Sequence, residues 1–108
     1  METTLQMPEV DVEGYLVDPA DWSEDVAEQI ARQENIRLTE DHWDVIRFIR
    51  ESYEEHQIIP DARFAIKHLA QRLGGDGRKK LFELFPYGYV KQACRIAGMR
   101  RPRAWSTG

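Results

Sequence analysis

The chain has 108 residues, 42% hydrophobic and 31% charged, a composition that fits one soluble globular domain with a single modest core and not a disordered protein. No apolar run approaches the roughly 20 residues needed to cross a bilayer, and the opening METTLQMPEVDVEGY has neither the basic nor the apolar region of a secretory signal. The net charge of −4 conceals an asymmetry, because Met1 to Gly77 holds 18 acidic against 7 basic side chains, whereas Arg78 to Gly108 holds 8 basic side chains against Glu83 alone. This basic C-terminal third suits an acidic partner, a nucleic-acid backbone, an anionic small molecule or the acidic part of its own domain.

In chain order, EVDVEGYLV alternates Val10 and Val12 with acids, turns at Glu13-Gly14 and resumes at Tyr15, Leu16 and Val17. The pattern predicts a β-hairpin, which needs helices to pack on. DPADWSEDVAEQIARQEN predicts a helix from Asp21 or Ser23 with Trp22, Val26, Ala27 and Ile30 on its inner face. LTEDHWDVIRFIRESYEEH predicts a second, capped by Thr39, with Trp43, Ile46, Ile49 and Tyr53 at helical spacing. A third opens at Pro60-Asp61 and closes at Gly74-Gly75, with Ala62, Phe64, Ala65, Leu69 and Leu73 as its apolar face. RKKLFELF makes a short fourth, stopped by Pro86, and YVKQACRIA a fifth, ending at Gly98. The expected class is α+β, a small hairpin on about five helices.

Few residues announce chemistry. His42, His56 and His68 are far apart and show no ligand spacing, so no metal site and no cofactor are expected. Ser23, Ser52 and Ser106 lie in no nucleophile motif, and GGDG lacks the pattern of a phosphate loop. The helix pair around GGDG has the form of a helix-turn-helix, with Arg78, Lys79 and Lys80 placed to meet DNA phosphates. Against that stands the acidic remainder of the chain. Cys94 is the lone cysteine, so it has no internal disulfide partner, in keeping with a reducing compartment. It shares an apolar stripe with Val90, Ala93 and Ala97, and its place near a helix C-terminus disfavours a thiolate; Lys91, Arg95 and the arginines beyond oppose that effect. Two readings stay open: a small buried side chain, or a sulfur-accepting or redox-sensing thiol.

GYL, LTEDHWDVIRFIRESYEEHQIIP, LFPYG and KQACRIAG with a proline-containing tail resemble the DsrC/TusE family, over about Val10 to Pro102. The family comprises the gamma subunit of dissimilatory sulfite reductase and a sulfur-relay protein of tRNA thiolation. The resemblance implies a β-meander with a third short strand on an array of helices. It also implies a domain over residues 1–98 and a flexible basic arm over 99–108. Family carriers load a persulfide on a penultimate arm cysteine, and the sulfite-reductase group has a second cysteine 11 positions upstream, where Cys94 stands. Here the eleventh position after Cys94 is Trp105, and the penultimate residue is Thr107. Neither an indole nor a hydroxyl holds a transferable sulfur. LFPYG is followed by Tyr89 and Val90, where the family has Pro and Ala.

The resemblance therefore implies an accessory or regulatory protein without independent catalysis. It would reside in the cytoplasm and dock sulfite-reductase-like or sulfur-relay partners through Arg100, Arg101, Arg103 and Trp105, without membrane insertion. The alternatives are a sulfur carrier using Cys94, or a DNA-binding regulator using Arg78, Lys79 and Lys80.

Overall fold

A computed structural model describes residues 7–101. Over that span the chain is helical: α1 (Glu24–Gln33), α2 (Glu40–His56), α3 (Ala62–Leu73), α4 (Gly77–Leu84) and α5 (Tyr89–Cys94), with a 3-10 turn at Pro19–Asp21. None of these helices is long and apolar enough to cross a membrane.

The expected α+β class, with its hairpin or meander and third strand, is corrected. Among the described residues there is no strand or sheet, only an isolated antiparallel bridge between Val10 and Leu16. The alternating valines do not share a buried face: Val12 is fully exposed, and Val10 and Val17 are about 40% exposed. The Asp11 carboxylate instead gathers the turn, accepting the backbone N–H of Glu13 at 2.9 Å and of Tyr15 at 3.0 Å. Pro8 lacks an N–H on one side, and Asp18 caps the Pro19–Asp21 turn on the other, so no ladder can extend. What the segment delivers to the core is Tyr15 and Leu16.

The helices start where local chemistry allows. Ser23, Asp61 and Asp76 each accept an N–H of the first turn of α1, α3 and α4, at 3.2, 3.0 and 3.1 Å. On α2 His42 takes the place that Glu or Gln holds in a capping box: its Nδ1 accepts the Thr39 N–H at 3.0 Å. Its Nε2–H donates to the Leu84 carbonyl at 2.8 Å, which ties α2 to α4, while the acceptor role of Nδ1 toward Thr39 requires the neutral ring. Burial lowers the His42 pKa, a shift opposed by the bond to Leu84. The unfolded chain therefore takes up this proton first as pH falls through about 6.5. Stability should be full above that value and decline below it. Urea midpoints at pH 7.5 and 5.5 test this, and a drop that His42→Gln leaves unchanged would dismiss His42 as its source.

Val26, Ala27, Ile30 and Ala31 of α1, Val45, Ile46 and Ile49 of α2, and Ala65 and Leu69 of α3 form the core with Phe85 and α5. Two residues expected on the inner face of α3 lie outside it: Phe64 is 55% and Leu73 41% exposed. The buried stripe follows Ala62, Ala65 and Leu69, and Phe64 lies off that line. Trp22 precedes the Ser23 cap and is held by α2 and α5, outside α1. Gly77 lets α4 approach α3, since a Cβ there would lie 2.2 Å from the Ile66 carbonyl oxygen.

Candidate functional site

Of the residues singled out by the sequence, Arg78, Lys79 and Lys80 lie on α4, whereas Arg100 and Arg101 follow α5 and Cys94 lies in it; α5 is π-helical over Tyr89–Cys94. That wider winding is uncommon and tends to occur at functional sites. Gly88 admits the chain at φ +107°, and the buried Gln92 side chain accepts the Tyr87 N–H at 2.9 Å. The helix ends in a Schellman motif: Met99 N–H donates to the Cys94 carbonyl and Gly98 N–H to that of Arg95, both at 3.0 Å. Gly98 occupies the left-handed position at φ +79°.

The remaining carbonyls of this terminus are met by side chains from far away in the sequence. Arg50 donates to the Ala97 carbonyl at 2.8 Å and to that of Pro19 at 3.2 Å. Its guanidinium lies 4.3 Å from the Trp22 ring centroid, and the Trp22 indole N–H donates to the Ile96 carbonyl at 2.9 Å. The N-terminal turn, α2 and α5 thereby fix the direction in which the chain leaves after Gly98.

Cys94 lies inside this frame with no exposed surface. Burial pushes its thiol pKa up to about 12, while the neighbouring Tyr89 hydroxyl pulls the other way. At neutral pH roughly one molecule in 100,000 would hold the thiolate, the form that attacks sulfur. The Tyr89 hydroxyl donates to the Pro60 carbonyl at 2.5 Å, and burial raises its own pKa. Val90, Ala93 and Ala97 are buried, as the stripe predicted.

Beyond Met99, which is buried, Arg100 is exposed and Arg101 turns back to the N-terminal loop. Its Nη1 donates to both Glu13 carboxylate oxygens, at 2.8 and 3.1 Å. Arg95 pairs with Glu34, whose other oxygen accepts from Gln92 at 2.9 Å. Tyr15, buried beneath, donates to the Val90 carbonyl at 3.1 Å. Glu13, Tyr15, Glu34, Arg95 and Arg101, with Tyr87 and Lys91, line an open groove of about 410 Å³. Arg103 and Trp105 lie outside the described residues.

Arg78 and Lys79 are exposed in the first turn of α4; Lys80, half-buried, pairs with Asp41 at 3.6 Å. The histidines are separate: His42 is a cap, His56 an exposed neighbour of Glu55, and His68 hydrogen-bonds Asp44 at 2.8 Å while stacked on Phe48. Among the described residues no cluster of three or more His, Cys, Asp or Glu could hold a metal ion.

Sequence reasoning missed Arg50 and Glu34. Arg50 did leave a signal, since it occupies a position of the Trp43, Ile46 and Tyr53 stripe, where a charge must find partners. Glu34 left none.

The fold and the α5 frame define a DsrC-like protein, and comparison with known proteins agrees. The family model described as DsrC like protein matches residues 2–104. Sulfurtransferase TusE of Photorhabdus laumondii is 47% identical over 96 residues, covering 87% of this chain and 86% of that protein. DsrC of Allochromatium vinosum, solved by NMR, shares 49% identity over 90% of this chain and 88% of its own, with a TM-score of 0.78. The oxidized gamma-subunit of the dissimilatory sulfite reductase of Archaeoglobus fulgidus shares 33% identity over 92% of each chain, with a TM-score of 0.83. The chain belongs to the DsrC/TusE family of sulfur-relay proteins.

Proposed function

We propose that this chain is an accessory or regulatory member of the family. It docks sulfite-reductase-like or sulfur-transfer partners through the basic segment that follows the 1–98 domain, and it carries no persulfide there. The observation that carries this reading is the burial of Cys94, the only cysteine of the sequence, under Tyr89 and with its thiol pushed up to about 12. The eleventh position after it, where the family resemblance places the carrier thiol, holds Trp105. Docking remains chemically available: Arg100 is exposed, Arg101 is held by an exposed pair with Glu13, and arginine and tryptophan are common interface anchors.

Intact mass after incubation with polysulfide tests this reading. The native chain should gain no ~32 Da sulfur adduct, and its thiol should react about 1000-fold more slowly than the urea-unfolded chain, in line with the thiolate fractions. A reductant-reversible adduct on the native chain, absent from Cys94→Ser, would replace this reading with a carrier that uses Cys94. Pull-down of a sulfite-reductase-like partner that survives Arg100→Glu together with Arg101→Glu would remove the docking role of the segment.

A further inference from the structure

The close approach that Gly77 permits leaves a small cleft between α3 and α4. Ala62, Ile66, Leu81, Phe82 and Tyr89 form its apolar walls, and Arg63 and Arg78 are the charged residues that line it. Its volume is about 150 Å³. An apolar cavity of that size takes one benzene ring. Phe82 is 44% exposed although it forms a wall, so the cleft presents unburied apolar surface to solvent. Tyr89, one of the walls, is anchored by its hydroxyl to the Pro60 carbonyl.

The charges say what covers it. No carboxylate lines the cleft. Arg78 has no acidic partner within ion-pair distance among the described residues, and Arg63 reaches only the Asp61 carboxylate at 3.4 Å with its side chain 76% exposed. An apolar slot for one ring, flanked by two guanidinium groups, complements a peptide with one aromatic side chain between carboxylates.

We infer that the α3–α4 cleft is a docking site for an acidic protein segment that inserts one aromatic anchor between Arg63 and Arg78. The cleft is distinct from the Glu13–Arg101 groove, since the two share no lining residue. It gives Arg78 a role in protein recognition in place of DNA contact.

The probe is a fluorescein-labelled peptide, DEDEFEDED, titrated against the full chain by fluorescence anisotropy at moderate salt. Saturable binding is expected, weakened about tenfold when the peptide phenylalanine becomes alanine. Arg63→Glu and Arg78→Glu should each weaken it about fivefold. Both positions are exposed surface sites, so the variants should keep the native fold, checked by their amide spectra. Amide shifts should centre on Ile66, Leu81 and Phe82. Absence of saturable binding would overturn the assignment, as would indifference to the peptide ring or to both arginines. So would shifts centred on Lys91 and Arg101. A concentration-dependent dimer lost in Phe82→Ser would instead make the occupant a second copy, and tight binding of a short DNA duplex that displaces the peptide would make it nucleic acid; either result would refute the proposal.

Discussion

Gly98→Ala should lower the unfolding free energy by about 3 kcal/mol, and with it the melting temperature by about 12 °C. Two separate effects add. The backbone is left-handed at φ +79°, a conformation that a residue with a Cβ adopts only under strain. The new methyl group would also lie 2.3 Å from the Trp22 Cδ1 atom and 2.8 Å from its Cβ, so the indole must move. Moving it breaks the bond from the Trp22 N–H to the Ile96 carbonyl and disturbs the Arg50 stack. Gly75 separates the two contributions. Its φ is +74°, but nothing lies within 4 Å of a Cβ placed there. Gly75→Ala should therefore cost only about 1 kcal/mol, the backbone part alone. Urea denaturation of both variants makes the comparison. Equal losses at the two positions would mean that Trp22 does not fix the helix terminus. The functional consequence is read from amide exchange of residues 99–101, which should lose protection in Gly98→Ala while α2 keeps it.

Arg50→Met should cost about 3 kcal/mol. Methionine keeps the apolar stem but removes two donors, leaving the carbonyls of Ala97 and Pro19 without their side-chain partner. It also removes the cation from the face of Trp22. Burial lowers the Arg50 pKa, a desolvation cost that the nearby Glu54 opposes. Arg50→Lys should restore less than half of the loss, since one ammonium cannot both reach two separate carbonyls and lie flat on an indole. Chemical denaturation of the three proteins gives the answer; full recovery by lysine, or a loss below about 1 kcal/mol for methionine, would show that the arginine is a surface charge and no keystone.

Both predictions concern the same small volume, where the N-terminal turn, the middle of α2 and the end of α5 meet. That volume sets the course of the described residues after Gly98, Met99 to Arg101, although neither Trp22 nor Arg50 belongs to that stretch.

The helices were legible in the sequence because their signals are local. Ser23, Asp61 and Asp76 cap within their own first turns, and Gly98 stops α5 by its own backbone freedom. The apolar spacing of Val90, Ala93, Cys94 and Ala97 was visible in the sequence, and the family blocks were readable as a string. The N-terminal segment was misread because alternation of Val10 and Val12 predicts a strand only if some surface covers one face; none covers Val12. The Asp11 carboxylate competes for the N–H groups that a ladder would use. Tertiary structure alone decided the environment of Cys94. Sequence physics left its thiol between a helix end that disfavours charge and cations that favour it. The fold turns Arg95 to Glu34 and Arg101 to Glu13, and it closes Tyr89 over the sulfur. The partners of these side chains lie 61 and 88 residues away in the chain. Pattern within a helix cannot reach across that distance, and burial, which here outweighs every nearby charge, is a property of the packed molecule.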